Sequence, residues 1–167
     1  MWPLEELSVP VDVRPDDVSS AAAQWLFAAL DAEMDALYPE DGANFLALDP
    51  VEVAPGRGVF LLAYVEGDLV GCGALRCLDL TTGELKRMFV CEPARGQGVG
   101  RAVLAGLEAV ARDLGLRTLV LETGDRATDT VAFYTRAGFR SIPKFGDYVA
   151  GPSSICMAKD LSSGHRR

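Results

Sequence analysis

The chain has 167 residues, of which 49% are hydrophobic, and this content is enough for one domain with a buried core. Its formal net charge of -8 argues against non-specific binding to nucleic acid, which depends on basic patches. The apolar runs are much shorter than the ~20 residues of a membrane span, and residues 1–6 lack the basic and apolar regions of a signal peptide. We therefore expect a cytoplasmic protein that binds neither nucleic acid nor membranes.

Cysteine and histidine are too scarce, and too far apart in sequence, to suggest a metal or nucleophile site. The four cysteines, Cys72, Cys77, Cys91 and Cys156, form no Cys-x-x-Cys pair, and the only histidine is His165. A Cys/His zinc site and a nucleophile activated by histidine are therefore not expected.

Hydrophobic periodicity predicts the elements of the first third of the chain. Alternating valines predict a strand at 7–14, and a helix capped by Ser19 or Ser20 follows and ends near Tyr38. Residues 39–57 are rich in Pro, Gly, Asp and Glu without a sustained period, which predicts a long irregular segment with one short helix at most. This segment is either a lid over a binding site or a solvated connection.

The rest of the chain is predicted from turn and cap signals as well as periodicity. Glu66-Gly67-Asp68 is a hairpin signal, Gly115 a helix C-cap, and Thr128 or Asp129 a helix N-cap. The predicted elements are strands at 59–65, 69–76 and 84–90, a helix at 99–114, a strand at 118–123, a short helix ending at 138, and closing strands at 140–142 and 154–159.

A glycine-rich run, Arg95-Gly96-Gln97-Gly98-Val99-Gly100, lies between a strand-like segment and an amphipathic helix. The first N–H groups of a helix have no intrahelical partner, and the helix dipole adds positive potential there. The N–H groups between Arg95 and Arg101 are therefore predicted to hold a phosphate. No Gly-Lys-Ser/Thr of a Walker loop follows, and Arg101 stands where a dinucleotide fingerprint has its third glycine. A tight turn without a ligand is the alternative.

The same run fits the pattern Gln/Arg-x-x-Gly-x-Gly/Ala, and here the chain resembles the GNAT superfamily of acyl-CoA-dependent N-acyltransferases. Leu-Val-Leu-Glu-Thr at 119–123 resembles the next strand of that fold, and Ala-Phe-Tyr-Thr-Arg-Ala-Gly-Phe at 132–139 resembles its helix with a tyrosine. The resemblance is strongest over 84–139. Many members have an asparagine seven residues before the tyrosine, whereas this chain has Ala127.

The resemblance implies a single α/β domain of the α+β type over 1–161, with a mixed, V-splayed sheet flanked by helices, and a disordered tail at 162–167. It implies an N-acetyltransferase that moves an acetyl group from acetyl-CoA, its cosubstrate, to a primary amine of a small molecule or peptide. The amine would attack directly in a ternary complex, without an acyl-enzyme or a metal, and a homodimer is common in such folds. The alternative function is a non-catalytic acyl-CoA-binding or sensor domain, for which Ala127 leaves room.

The resemblance also assigns residues to the cofactor. The main chain of the strand before the glycine run would hydrogen-bond the pantetheine amides, and the run itself would hold the pyrophosphate. Arg95 and Arg101 could add charge-assisted contacts, a solvated arginine being the alternative for each. The predicted cofactor-binding residues are Met88, Phe89, Val90, Arg95, Gly96, Gln97, Gly98, Val99, Gly100 and Arg101.

Three residues are predicted to be catalytic. Tyr134 matches the family tyrosine near the thioester sulfur, and a phenol with a pKa near ~10 is a protonated donor at neutral pH; a packing tyrosine is the alternative. Glu84 and Glu122 stand at the two places where different GNAT families carry a general base, and burial would suit either by raising its pKa. Glu122, among apolar neighbours, is expected to be the more desolvated, and an exposed position is the leading alternative for Glu84. Asp147 and Tyr148, in the loop at 143–152, are candidates for the acceptor pocket.

Overall fold

The computed structural model describes residues 9–40 and 48–162 of the chain. Within them the helices are α1 (Ala21–Leu37), α2 (Val99–Asp113) and α3 (Thr128–Arg136). The strands are β1 (Asp12–Pro15), β2 (Gly58–Val65), β3 (Asp68–Cys77), β4 (Thr82–Val90), β5 (Thr118–Gly124), β6 (Arg140–Ile142) and β7 (Ser154–Asp160). Short 3-10 turns lie at Pro50–Val53, Glu92–Ala94 and Gly146–Ala150. Each described helix is too short or too polar to cross a bilayer, and the cytoplasmic location stays a prediction.

The strands form one mixed sheet in the order β1-β2-β3-β4-β5-β7-β6. Hairpins join β2 to β3 and β3 to β4, so these pairs are antiparallel, while β4 and β5 are parallel because α2 connects them. The last strand, β7, inserts antiparallel between β5 and β6. The predicted mixed sheet flanked by helices is confirmed.

The two central strands, β4 and β5, separate soon after they start. They pair from Thr82 opposite Thr118 to Glu84 opposite Val120. Beyond Glu84, β4 continues beside β3, while β5 continues beside β7 as far as Gly124. Within residues 48–162, the facing edges of the two strands have no strand partner past this point. The sheet therefore has the V shape that the resemblance implied.

A β-bulge interrupts β4 just after the two strands separate. Lys86 lies opposite Ala74 and Phe89 opposite Cys72, so Gly73 alone faces both Arg87 and Met88. Arg87 has a φ of 56°, in the left-handed region, which costs about 1–2 kcal/mol for a residue with a side chain. The bulge turns the Arg87 side chain toward α1, and the sequence carried no signal for it.

The helices cover the two faces of the sheet with separate apolar clusters. One stripe of α2 is buried against the first face, together with Tyr134 of α3 and Phe139 after it. The face under α1 is covered by one apolar stripe of that helix, in which Ala23, Leu26, Phe27 and Leu30 are buried and Met34 is partly exposed. Ser20 caps α1 by accepting a hydrogen bond of 3.1 Å from the Ala23 N–H, as predicted. The buried residues of the two helices are Ala23, Leu26, Phe27, Leu30, Val99, Val103, Leu104, Leu107 and Ala111.

Two of the sequence predictions about element ends are wrong. The first strand was predicted at 7–14, but β1 begins at Asp12, because Asp12 pairs with Tyr64 and β2 ends one residue later at its hairpin turn. Residues 7 and 8 lie outside the described residues. Neither Thr128 nor Asp129 caps α3; Ala127 holds the cap position, and its N–H donates to the Gly124 carbonyl over 3.1 Å. The backbone turn after β5 makes a side-chain cap unnecessary.

The irregular segment predicted at 39–57 contains one short helical turn, as expected. Asp49 and Glu52 form a capping box around the turn Pro50–Val53. Residues 41–47 of this segment, and residues 163–167 of the predicted tail with His165, lie outside the described residues. The predicted domain limits, 1–161 and 162–167, stay a prediction.

Candidate active site

The glycine-rich run forms the N-terminal end of α2, as predicted. Gly96 and Gly98 have φ values of 80° and 88°, and Gly98 is the N-cap residue. The first bond into the helix runs from the Ala102 N–H to the Gly98 carbonyl over 3.1 Å. The N–H groups of Val99 and Gly100 therefore precede the first intrahelical bond and, with the helix dipole, form a site suited to an anion.

The third glycine of the run also has a packing role. A Cβ on Gly100 would lie 3.3 Å from the ring of Phe133, so a side chain there would push α3 away from α2. Glycine at this position keeps the two helices in close contact, which places Tyr134, the next residue after Phe133, beside the end of α2. The sequence pattern alone attributed Gly100 to the cofactor.

The polar side chains of the run are engaged with the protein itself. Arg95 donates to the Val90 carbonyl over 2.9 Å and to Glu33 of α1 over 2.7 Å, while Gln97 donates to the Pro93 carbonyl over 3.3 Å. Arg95 therefore holds the run against β4 and α1. The charge-assisted contacts predicted from Arg95 and Arg101 to a ligand stay predictions.

The predicted pantetheine strand is the part of β4 beyond the point where β4 and β5 separate. Phe89 packs into the apolar cluster under α1, whereas Met88 and Val90 pack against the cluster on the α2 face. With the side chains of these residues engaged on the two faces, their main chain is what the strand offers at its open edge. This placement fits the predicted role of Met88, Phe89 and Val90, which stays a prediction.

Glu84 is buried, with 1% of its surface exposed, so its leading alternative of an exposed position is wrong. Arg76, directly opposite on β3, donates from Nε and Nη2 to Oε1 of Glu84 over 2.9 and 2.7 Å. Tyr148 donates to Oε2 over 2.6 Å. Arg76 also forms an ion pair with Glu52. Both oxygens of the Glu84 carboxylate are thus occupied by donors from the protein.

Glu122 lies on the same face of the sheet as Glu84, two residues beyond the residue of β5 that pairs with Glu84. This step is about 7 Å along the strand, toward the open end. Ser154 donates to Oε2 of Glu122 over 2.6 Å. Burial raises the pKa of Glu122 above its ordinary 4.5, and it outweighs the opposite effects of the Ser154 hydrogen bond and the Lys86 charge. Glu122 is thus desolvated, but the expectation that it would be the more desolvated of the two is wrong, because Glu84 is buried and Glu122 is only half-buried.

Tyr134 lies on the opposite face, in the apolar cluster of α2 and α3. Its ring makes edge-to-face contacts with Phe133 and Phe139, at centroid distances of 5.1 and 5.3 Å. Burial raises the pKa of the Tyr134 phenol above its ordinary 10.0, so the hydroxyl stays protonated at neutral pH. Tyr134 is therefore a packing residue whose hydroxyl carries its proton at neutral pH, and its catalytic role stays a prediction.

Four residues near the two glutamates were not singled out from the sequence: Arg76, Lys86, Ser154 and Glu52. The alternation of Glu84 and Lys86 along a strand was the one local signal, because it places both on one face. Lys86 has a lowered pKa, chiefly through burial, and the charge of Glu84 is the largest effect that opposes this lowering. Arg76 and Ser154 reach the site through strand register, which a single sequence does not give.

The end of α1 is fixed to the segment that leads into α3. A Cβ on Gly124 would lie 2.1 Å from the Tyr38 hydroxyl, so the phenol rests directly on the backbone of β5. That hydroxyl accepts from the Arg126 N–H over 2.6 Å and lies 3.3 Å from the Asp125 carboxylate, while Arg126 donates to the Leu37 carbonyl over 2.8 Å. The end of α1, on one face of the sheet, is therefore bonded directly to the segment that leads from β5 into α3, the helix on the other face.

The fold and this site define a protein whose central sheet opens beside a helix N-terminus, and known proteins share this arrangement. Residues 20–139 match the model of the acetyltransferase (GNAT) family. The chain is 38% identical over 150 residues to an IAA acetyltransferase of Azospirillum brasilense, a match that covers 89% of this chain and 95% of the relative.

Solved structures agree with this match. A Klebsiella pneumoniae protein described as an acyl-CoA N-acyltransferase aligns with a TM-score of 0.77 and 32% identity, over 90% of this chain and 97% of that one. A GNAT family acetyltransferase of Elizabethkingia anophelis, which has acetyl-CoA bound, shares the fold with a TM-score of 0.63 and 20% identity, over 90% of this chain and 97% of that one. The chain belongs to the acetyltransferase (GNAT) family and is an acyltransferase, as the sequence resemblance predicted.

Proposed function

We propose that this protein moves an acetyl group from acetyl-CoA to a primary amine by direct attack in a ternary complex. The observation that carries the proposal is the opening between β4 and β5, which has Glu122 on one face, Tyr134 on the other and the N-terminal end of α2 beyond Val90. A thioester lying in this opening would be accessible to both side chains.

The residues present fit acetyl-CoA in two ways. The N–H groups at the start of α2 suit its pyrophosphate, because they are unpaired within the helix and the two left-handed glycines remove side chains from the approach. The open edge of β4 at Met88, Phe89 and Val90 offers backbone groups to an extended chain that carries amides. The family relative from Elizabethkingia anophelis has acetyl-CoA bound.

The reaction needs a proton acceptor and a proton donor on opposite sides of the reacting carbonyl. The amine nitrogen forms a bond to the carbonyl carbon while the bond from that carbon to sulfur breaks. Glu122, directly or through a water, takes the proton that the amine loses, and Tyr134 gives its proton to the departing thiolate. The phenol is regained from solvent, and no bond to the protein forms.

Glu122 is the better candidate for the base, and Glu84 is better described as the acceptor that holds Arg76 and Tyr148 in place. Oε1 of Glu84 accepts two bonds from Arg76 and Oε2 accepts one from Tyr148, so a buried Glu84 has little capacity left for an amine proton. Glu122 has one Ser154 hydrogen bond on Oε2, and its raised pKa makes it a stronger base.

Replacing Glu122 with glutamine is expected to lower turnover most between the pKa of Glu122 and the pKa of the amine, where the carboxylate is ionised and the amine still needs a base. The raised pKa means that the Glu122 carboxyl loses its proton at a higher pH than an ordinary glutamate, so wild-type turnover should rise with pH through that value. In Glu122→Gln this acid limb should disappear, and the rate should recover partly at high pH, where the amine deprotonates unaided. A pH series of kcat with a competent amine measures this.

Ser154→Ala is the matched variant for the same test. The Ser154 hydroxyl lowers the Glu122 pKa, so Ser154→Ala alone should move the acid limb of the pH profile to higher pH. Added to Glu122→Gln, the same change should leave the pH profile unaltered. A larger effect of Glu84→Gln on the limb would transfer the role of base to Glu84, and flat profiles for both variants would mean that solvent takes the proton.

Tyr134→Phe is expected to lower kcat by about tenfold or more, in the range of general acid catalysis, with acetyl-CoA affinity nearly unchanged. The variant keeps the ring contacts with Phe133 and Phe139 and removes only the donor. Tyr64→Phe, on β2, is a control for loss of a phenol outside the site. Steady-state kinetics and a cofactor titration check both variants, and an unchanged kcat in Tyr134→Phe would leave this tyrosine a packing residue.

Release of free CoA thiol in the presence of an amine panel separates the enzyme from a sensor domain. A catalytic protein releases thiol in proportion to amine consumed. Tight binding of acetyl-CoA without release for any amine would favour the non-catalytic alternative, for which Ala127 in place of the usual asparagine leaves room.

A further inference from the structure

A cavity of about 510 Å³ lies beside α1, on the face of the sheet that carries Glu84 and Glu122. Its wall is mixed: the apolar part is formed by Val18, Phe27, Ala28, Leu48 and Pro50, and the polar part by Ser19, Gln24, Asp31 and Arg87. This volume suits a small organic molecule, and apolar walls with a few polar groups are usual for such sites. The catalytic roles proposed above use none of these residues.

One strongly polar group of the cavity is the guanidinium of Arg87, which the bulge of β4 turns toward α1. It lies 4.5 Å from the centre of the Phe27 ring and donates from Nη1 to Asp31 over 2.7 Å. Its Nε is buried and, among the described residues, has no hydrogen-bond partner. Asp31 and Phe27 thus hold the plane of the guanidinium while N–H donors remain unused.

The position of Arg87 along β4 relates the cavity to the reaction. Arg87 comes three residues after Glu84, on the part of β4 whose inner edge is open. The cavity and the opening between β4 and β5 therefore share this stretch of β4. The left-handed backbone conformation of Arg87 is energetically unfavourable, and it occurs where the side chain enters the lining of the cavity.

We propose that this cavity binds the body of the amine acceptor and that Arg87 binds a carboxylate on it. The acceptor class is then an amino acid with an apolar side chain, whose amine is acetylated while its carboxylate pairs with the guanidinium. This inference rests on the proposed function. It goes further by naming the acceptor class and a specificity residue.

The charges of the cavity favour a carboxylate over a second cation. Asp31, the acidic residue in its lining, already accepts from Arg87, so an acceptor ammonium there would have to compete with the guanidinium. A guanidinium, in contrast, has five N–H donors, and a carboxylate matches its planar fork in a bidentate pair.

The test compares N-acetyl amino acids with their carboxamides as ligands of the full chain saturated with CoA. The probes are the N-acetyl derivatives of leucine, methionine, phenylalanine and tryptophan, which carry no ionisable amine, so each pair isolates the carboxylate. Calorimetry is expected to show that at least one acid binds about tenfold or more tightly than its amide, and that Arg87→Gln removes this preference.

Arg14→Gln is the matched control, because Arg14 also pairs with an aspartate, Asp12, over 2.8 Å and lies 4.3 Å from the ring centre of Tyr64, outside the cavity. It should leave the acid preference intact. Arg87→Lys keeps the charge without the fork and should retain part of the preference.

Two outcomes would overturn the inference. Wild-type protein that binds every acid and amide pair equally would refute it without any variant, as would a folded Arg87→Gln protein that keeps the preference. Thiol release with other amines would still support the proposed function in those cases. Acid-selective binding without any thiol release would instead sustain the carboxylate site and count against the enzyme.

Discussion

Arg76→Met is expected to lower the free energy of unfolding by about 3–5 kcal/mol at neutral pH, because the substitution leaves a buried carboxylate without its cation. Glu84 is 1% exposed and receives two hydrogen bonds from Arg76. The Tyr148 hydroxyl donates to the other oxygen but carries no charge. Urea denaturation followed by circular dichroism measures the loss.

A double-mutant cycle sharpens this expectation. Combining Arg76→Met with Glu84→Gln removes the charge that the first change leaves unpaired, so much of the lost stability should return. Arg14→Met breaks an exposed pair, in which Arg14 and Asp12 are 56% and 59% exposed, and should cost less than about 1 kcal/mol. Equal losses in Arg76→Met and Arg14→Met would mean that Glu84 is not held as a buried charge.

Gly98→Glu is expected to weaken acetyl-CoA binding more than tenfold, which corresponds to a loss of more than ~1.4 kcal/mol of binding free energy. Gly98 is the N-cap of α2, so a carboxylate there would stand at the entrance of the proposed pyrophosphate site and repel it. The substitution should also lower the free energy of unfolding, because a φ of 88° costs any residue other than glycine about 1–2 kcal/mol. Calorimetric titration with acetyl-CoA measures the affinity.

Gly115→Glu separates the two contributions. Gly115 follows the other end of α2, has a φ of 80° and has open space around its Cβ position. It should lose a similar amount of stability while acetyl-CoA affinity stays the same. If a folded Gly98→Glu protein bound acetyl-CoA as tightly as Gly115→Glu does, the assignment of the glycine-rich run to the cofactor would be wrong.

Local patterns were sufficient to predict most of the fold. The stripe of α2 and its stop at Gly115, and the Ser20 cap of α1, depend on residues within one or two turns of each other, which a sequence displays directly. The exact start of β1 could not be predicted, because it depends on where its partner β2 ends. The Ala127 cap was missed for a similar reason, since its bond is to the backbone after β5.

The sequence predicted the main-chain part of the candidate site, but it did not predict the burial and the ion-pair partners of the charged side chains. The glycine-rich run acts through main-chain groups at a helix end, which sequence patterns locate. The burial of Glu84 depends instead on Arg76 across a hairpin and on Tyr148, 64 residues further along the chain. The bulge at Arg87 follows from one extra residue relative to β3, and no residue type announces it. Residues that meet through tertiary contacts have no local signature.

Strand edges without a partner normally lie at the two sides of a sheet. The separation of β4 and β5 creates two such edges at the centre of this sheet. An exposed edge pairs with any extended chain of suitable backbone geometry, which is why proteins cover or charge their outer edges. In the proposed function, acetyl-CoA covers the edge of β4. A bound pantetheine arm would therefore act as a temporary eighth element of the sheet, and amide protons of β4 should exchange with solvent more slowly while it is held.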